Sequence, residues 1–131
     1  MNDTYICSYS RTAIGAFQGL LSSTPATELG SNVIKSVLEK TAINSEFIDE
    51  VIMGNVLSAN LGQAPARQAS IGAGLPTNVE CMTINKVCGS GLKSVMLADQ
   101  SIKSNNSDVI IAGGMENMSL APYYLGRSRK N

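Results

Sequence analysis

The chain has 131 residues, ten basic and ten acidic side chains and no histidine, so its formal charge at pH 7 is zero. Its 44% hydrophobic residues suffice for one core, while its 15% charged residues fall below the roughly 25% usual for soluble domains, so part of the surface is expected to face something other than water. Neutrality argues against a nucleic-acid partner, and without an imidazole no Ser/His, Cys/His or histidine–metal site can be built from this chain alone.

Three further absences narrow the class. The start Met1-Asn2-Asp3-Thr4 lacks the basic and then apolar pattern of a signal peptide. The longest apolar run, Val109 to Ala112, is far short of the ~18 residues a membrane span needs, so a cytoplasmic protein with no membrane partner is expected. Cys7, Cys81 and Cys88 are odd in number and have no C-x-x-C spacing, which argues against disulfides and against a metal site. Charge is only mildly uneven: residues 1–60 hold three basic and six acidic groups, and residues 61–131 hold seven and four. The basic cluster Arg127, Ser128, Arg129, Lys130 reads as a solvated tail.

Tyr5 to Tyr9 reads as a first strand, followed by a Gly- and Ser-rich loop. Thr24 supplies a capping hydroxyl before Pro25, and Leu29, Val33, Val37 and Leu38 recur at helical spacing to about Lys40. Asn44 caps a short helical turn, and residues 51–57 read as a second strand. Pro65 opens a helix running through Ile71, which Gly72, Gly74 and Pro76 stop. A third strand covers about Cys81 to Ile84. Ser90 to Lys103 is helical, with Leu92, Val95, Met96, Leu97, Ala98 and Ile102 spread round most of the circumference, as in a helix between layers. Asp108 to Ala112 is a continuous apolar strand of the kind buried on both faces. Strands alternating with helices imply an α/β fold with a mostly parallel sheet and right-handed crossovers. After Gly113 the pattern dissolves, and the architecture reads as incomplete.

The chemistry concentrates at Asn85-Lys86-Val87-Cys88-Gly89-Ser90-Gly91, between the third strand and the apolar helix. Near a helix N-terminus, unpaired amides and the dipole favour an anion, which biases a cysteine there toward thiolate, the nucleophilic form. Gly89 and Gly91 remove side chains around the sulfur, opening the approach of a carbonyl and freeing amides for an oxyanion. The alternative is a small buried thiol beside packing glycines. Cys7 and Cys81 read as core-packing thiols. A dinucleotide or P-loop reading fits poorly, because Ser94 stands where a third glycine belongs and the G-x-x-x-x-G-K-S spacing is missing. Residues Gly113 to Met118 read as a turn carrying the carboxylate Glu116 and two thioethers.

Taken together, the Cys88 segment, Ala112-Gly113-Gly114-Met115-Glu116-Asn117-Met118-Ser119, Arg11-Thr12-Ala13-Ile14-Gly15, Gly54-Asn55-Val56-Leu57 and Gly62-Gln63-Ala64-Pro65-Ala66-Arg67-Gln68 resemble the thiolase family, in particular its acetyl-CoA acetyltransferases. The resemblance covers the whole chain in order. It implies a layered α-β-α-β-α fold of two similar halves, with the nucleophilic cysteine on a helix of the central layer and this chain forming an incomplete N-terminal half with α-β-α layers. It implies acyl transfer to Cys88 as a thioester, attack by the carbanion of a second acetyl-CoA, and the reverse thiolysis. The amide of Cys88 would join an oxyanion hole while Gly89 and Gly91 keep the approach open.

The same resemblance implies a histidine in Gly-His-Pro, an Asn-Glu-Ala-Phe segment, a second cysteine in Cys-x-Gly-Gly-Gly, and a loop domain that holds coenzyme A. None occurs in these residues. The expectation is therefore the front part of a thiolase N-terminal domain, with 113–131 leading into a missing loop domain and no turnover by this chain alone. Acetyl-CoA and other acyl-CoA thioesters are the implied substrates, with no separate cofactor, and a homo-oligomer is expected. The alternatives are a non-catalytic remnant, an oligomerising or acyl-CoA-binding module, and a redox-sensing Cys88.

Overall fold

A computed structural model describes residues 3–126, so the basic cluster at Arg127, Ser128, Arg129 and Lys130 lies outside the described residues. In chain order the elements are α1 (Ala26–Thr41), β1 (Glu50–Gly54), α2 (Pro65–Gly72), β2 (Glu80–Ile84), α3 (Ser90–Lys103) and β3 (Ile110–Gly114), with 3-10 turns at Ser45–Phe47 and Met118–Leu120. The three strands form a parallel sheet in the order β2-β1-β3, in which Val51 pairs with Cys81 on one side and Ile111 on the other. The chain therefore steps outward from β1 to β2 through α2, then back across β1 to β3 through α3. Two right-handed crossovers in opposite directions place their helices on opposite faces. The result is the expected α-β-α layering, with α1 and α2 on one face and α3 on the other.

The α1/α2 face holds the core. Along α1 the buried residues are Ala26, Gly30 and Ile34, one turn apart, with Leu38 packed at the margin. They meet Ala66 and Ala69 of α2 and the Val51 and Met53 side chains of β1. Small residues at the contact let the helices approach closely, as ridge-into-groove packing requires. The hydroxyl of Thr24 does not cap α1 as expected. Pro25 itself is the N-cap residue, without a side-chain cap, and the Thr24 carbonyl instead accepts a 2.7 Å hydrogen bond from Asn117 Nδ2. Asn44 caps the first 3-10 turn, its Oδ1 accepting from the amide of Glu46 at 3.1 Å.

Three sequence expectations are corrected. Tyr5 to Tyr9 is not a strand. It presents no ladder to any described strand, and Tyr5, Ile6 and Tyr9 are 77–82% exposed. The segment is held to α1 by Lys40 Nζ donating to the Tyr9 carbonyl and Ser10 Oγ donating to Ser36 Oγ, both at 3.0 Å. Strand β1 ends at Gly54, three residues early, because the next three residues are held by a carboxylate from another part of the chain. Strand β3 is half-buried, because it forms an edge of the described sheet.

The burial of α3 also departs from the expectation. Its packed stripe is Ser90, Ser94 and Ala98, while Leu92, Val95 and Met96 stand 39–70% exposed. Ser94 Oγ lies 2.6 Å from the carbonyl of Gly91 and 2.8 Å from that of Gly113, tying the helix to β3. The sheet contacts one side of α3, and no described element covers the other.

Candidate active site

The strand-to-helix connection that carries Cys88 is built by short-range polar contacts. Asn85 Oδ1 accepts from the Val87 amide at 2.9 Å. Ser90 Oγ accepts from the Lys86 amide at 2.8 Å and donates to the Val87 carbonyl at 2.6 Å. Between these anchors Val87 is held at φ 49, in the left-handed region. For a β-branched residue that conformation costs about 1–3 kcal/mol, and such strain persists only where the surroundings over-determine it. It aims the next residue outward, and Cys88 is exposed. The alternative of a buried packing thiol is thereby excluded.

Helix α3 begins at Ser90, with Gly89 as its N-cap residue and no capping side chain. The amides of Gly89 and Ser90 are committed to the carbonyls of Lys86 and Val87, each at 3.1 Å. The first-turn amides of Gly91 and Leu92 donate to no backbone or side-chain acceptor among the described residues. These are the orphan donors of a helix start, and Gly91 lines the same cleft as Cys88.

Cys88 opens onto a cleft of about 550 Å³ walled by Val56, Leu57, Val87, Met115 and Met118. Gly54, Asn55, Ser90, Gly91, Gly114 and Glu116 complete its lining, whereas Gly89 is absent from it. The ends of two parallel strands thus meet the start of α3, which is where open α/β sheets form binding crevices. Glycine has its strictest role away from Gly89 and Gly91. A Cβ on Gly54 would lie 2.6 Å from the Ser90 Cβ and 2.8 Å from the Gly91 nitrogen, whereas one on Gly91 would meet nothing nearer than 3.9 Å. Gly54 lets β1 run against the backbone of α3, and this close approach seats Cys88 over the sheet.

The cleft's other wall is tied down by Glu116. Its carboxylate accepts from Asn55 Nδ2 at 2.9 Å, from the Val56 amide at 2.9 Å and from the Leu57 amide at 3.2 Å. Asn55 Nδ2 also donates to the Met115 carbonyl at 3.1 Å. The Asn55 Oδ1 atom is buried without a partner. The neighbouring Asn117 donates through Nδ2 to the carbonyls of Leu21, Ser22 and Thr24 at 2.7–3.2 Å, closing the early loop against this segment. A second hollow of about 320 Å³ lies there, lined by Thr12, Ile14, Gly15 and Phe17 and sharing Glu116 and Met118 with the first.

The structure thus brings three sequence segments to Cys88: residues 54–57, 87–91 and 114–118. Two others stay away. Residues 12–15 line the second hollow, and the 62–68 segment forms the turn into α2, where Gln68 Nε2 donates to the carbonyls of Leu61 and Gln63 and Arg67 donates to those of Thr77 and Val79. Of the other thiols, Cys81 is half-buried against the core as expected, but Cys7 is exposed, because the strand meant to bury it does not form. The roles of Gly54, Asn55 and Glu116 escaped sequence reasoning, since each depends on a partner between 36 and 61 residues away. No cluster of three or more potential metal ligands occurs among the described residues.

Residues 4–131 match the profile described as the N-terminal domain of thiolase. The chain belongs to the thiolase family. It is 58% identical over 125 residues to the acetyl-CoA acetyltransferase of Escherichia coli K12, covering 95% of this chain and 32% of that protein. Against acetyl-CoA acetyltransferase 2 of Arabidopsis thaliana the identity is 55% over 128 residues, 98% of this chain and 32% of the relative. Against the mitochondrial acetyl-CoA acetyltransferase of Danio rerio it is 54% over 127 residues, 97% of this chain and 30% of the relative. The chain thus spans about a third of the length of the relatives it matches. The thiolase N-terminal domain is α/β, and the parallel sheet layered between helices accords with it.

Proposed function

We propose that this chain supplies the nucleophile-bearing portion of an acetyl-CoA C-acetyltransferase, with Cys88 as acyl acceptor. The observation that carries the reading is an exposed Cys88 just before α3, opening onto a cleft of about 550 Å³ that Gly91, whose amide is unpaired in the first turn of that helix, also lines. In the first half-reaction the Cys88 sulfur attacks the thioester carbonyl of acetyl-CoA. A new C–S bond forms, the bond to coenzyme A breaks, and coenzyme A leaves as the thiol with the proton that Cys88 gave up. Backbone amides at the helix start, that of Cys88 among them, face the oxygen that becomes negative in the tetrahedral intermediate, where fixed donors act most strongly. Gly91 leaves the approach clear, and Gly89 keeps a side chain off the N-cap position.

In the second half-reaction the carbanion of another acetyl-CoA displaces Cys88, giving acetoacetyl-CoA, and thiolysis is the reverse. By the resemblance a histidine activates the nucleophile and a second cysteine carries the α-proton, and these residues hold neither the histidine nor the Cys-x-Gly-Gly-Gly segment. Losing general acid–base help costs on the order of 100- to 10,000-fold, so these residues by themselves acylate slowly and do not condense. Acyl-CoA thioesters are the substrates, no separate cofactor is required, and the site operates in a cytoplasmic homo-oligomer. No helix among the described residues is long and apolar enough to cross a membrane. A second reading, an acyl-CoA-binding or oligomerising module without turnover, draws on the uncovered apolar side of α3.

Labelling with iodoacetamide tests the reading, with Cys7 as an internal control because it is also exposed. Acetyl-CoA is expected to protect Cys88 and leave Cys7 unprotected. Equal labelling of both thiols with and without acetyl-CoA would overturn it.

A further inference from the structure

We propose that Glu116 is a positioning residue for the Cys88 site, holding residues 55–57 as the wall along which a substituent on the attacked carbonyl lies. The inference rests on the reading of Cys88 as acyl acceptor and adds a residue that acts through the wall it holds.

Four facts carry it. First, β1 stops at Gly54, and the following three residues belong to no regular element. Second, three donors of those residues converge on one carboxylate, Asn55 Nδ2 and the amides of Val56 and Leu57 all bonding to Glu116, while the Asn55 amide donates to the Ile84 carbonyl. Hydrogen bonds to an ionised acceptor are roughly twice as strong as neutral ones, so the carboxylate dominates the local geometry. Third, Val56 and Leu57 line the same cleft as Cys88 and are its main apolar groups from this strand end. Fourth, the cleft's base cannot shift to compensate, because Gly54, Gly91 and Gly114 pack backbone against backbone, with a hypothetical Gly114 Cβ only 3.3 Å from the Gly91 Cα. A rigid base and a tethered wall set the space above the sulfur. The tether comes from the segment after β3, so the chain must close the β1–β3 pair before the wall exists.

Two alkylating reagents of different bulk read the wall independently of acyl transfer. Iodoacetamide is small and needs only the sulfur, whereas N-phenylmaleimide must lay an aromatic ring against the neighbouring apolar surface. Rates at Cys88 are measured for the unsubstituted protein, Glu116→Gln, Glu116→Asp and Leu57→Ala, with Cys7 in the same molecules as reference. The glutamine keeps the volume but turns one acceptor oxygen into a donor facing the Val56 amide.

In Glu116→Gln the ratio of N-phenylmaleimide to iodoacetamide rates at Cys88 is expected to fall about fivefold or more, while the iodoacetamide rate stays within about twofold. Glu116→Asp, which keeps the charge and both acceptors, is expected to recover part of the ratio. Leu57→Ala, which leaves the clamp intact and shortens the wall, is expected to lower the ratio in the same direction. A ratio that is unchanged or rises in Leu57→Ala overturns the proposal even if Glu116→Gln fails to fold. A parallel fall of both rates in Glu116→Gln also overturns it, since that is the mark of general unfolding. Acetylation of Cys88 by acetyl-CoA in the unsubstituted protein separates the two claims. Its absence alongside the expected ratios refutes the acyl-acceptor reading and retains the clamp, whereas its presence alongside unchanged ratios does the reverse.

Discussion

The two faces of the sheet are built from the same kinds of residue and end up in opposite conditions. On the α1/α2 face, Ile34, Val51, Met53, Ala66, Ala69 and Val79 are all at most 2% exposed. On the α3 face Ile52 of β1 is buried, but the helix contributes only Ser90, Ser94 and Ala98 to the contact, and its apolar Leu92, Val95 and Met96 point elsewhere. The first face is organised for stability. The second trades apolar burial for close backbone approach, and the strained Val87, the exposed Cys88 and the cleft are all at that helix's start. Functional strain is sustainable where a separate core supplies the stability.

Substitutions on the two faces can break this contrast, each read as the shift in a urea unfolding curve. Ile34→Ala empties a site that is 1% exposed and should cost about 2–5 kcal/mol, the range for large-to-small core changes. A loss under 1 kcal/mol would mean that the α1/α2 face is not the stabilising one. Gly54→Ala forces a Cβ to within 2.6 Å of Ser90 and should cost about 1–3 kcal/mol, as overpacking does, while also changing the labelling rate of Cys88. A neutral effect would show that β1 and α3 are free to separate.

A smaller effect is expected at the other end of the sheet, where the parallel register sets Glu50 beside Glu80. Burial, and then the negative charge of Glu80, raise the Glu50 carboxyl above its ordinary value. The folded state therefore binds more protons than the unfolded chain. The stability from this group is fully present below the ordinary carboxylate range and is lost as pH rises through the raised value. Glu50→Gln should stabilise the protein at pH 7 by about 0.2–1 kcal/mol, the scale of a like-charge cross-strand pair, with the gain vanishing in acid. A gain that persists unchanged at low pH would assign the effect to packing. Smallest of all, Leu92→Ala removes a side chain 70% exposed and should shift stability by no more than about 0.5 kcal/mol. A large loss would show that the outer side of α3 is covered in solution.

Legibility from the sequence followed the range of the interactions. The helices at Pro65 and Ser90 begin where the sequence predicts them, because Pro, Gly and the apolar spacing that mark them lie within a turn of the boundary. The parallel order followed from alternating elements. Tyr5 to Tyr9 has strand composition yet forms none, because a strand exists only through a partner that its own residues do not announce. The early end of β1 depends on Glu116, some 60 residues away, and no local propensity contains that information. Cys88 stood out because a cysteine between a strand and Gly-Ser-Gly is a local pattern with a chemical reason. The contacts that shape its cleft are not local: Gly54 and Asn55 fall inside the 51–57 strand reading and Glu116 in a turn, and although the family-like segments contain all three, none of those segments announces its partner.

The most direct test incubates the protein with acetyl-CoA, measures released coenzyme A, and maps the acetyl group by peptide mass. The account predicts one acetyl group as a thioester on Cys88, released coenzyme A in equal amount, and neither in Cys88→Ser. Acetyl spread evenly over Cys7, Cys81 and Cys88, or no transfer while Cys88 remains reactive to iodoacetamide, would contradict it.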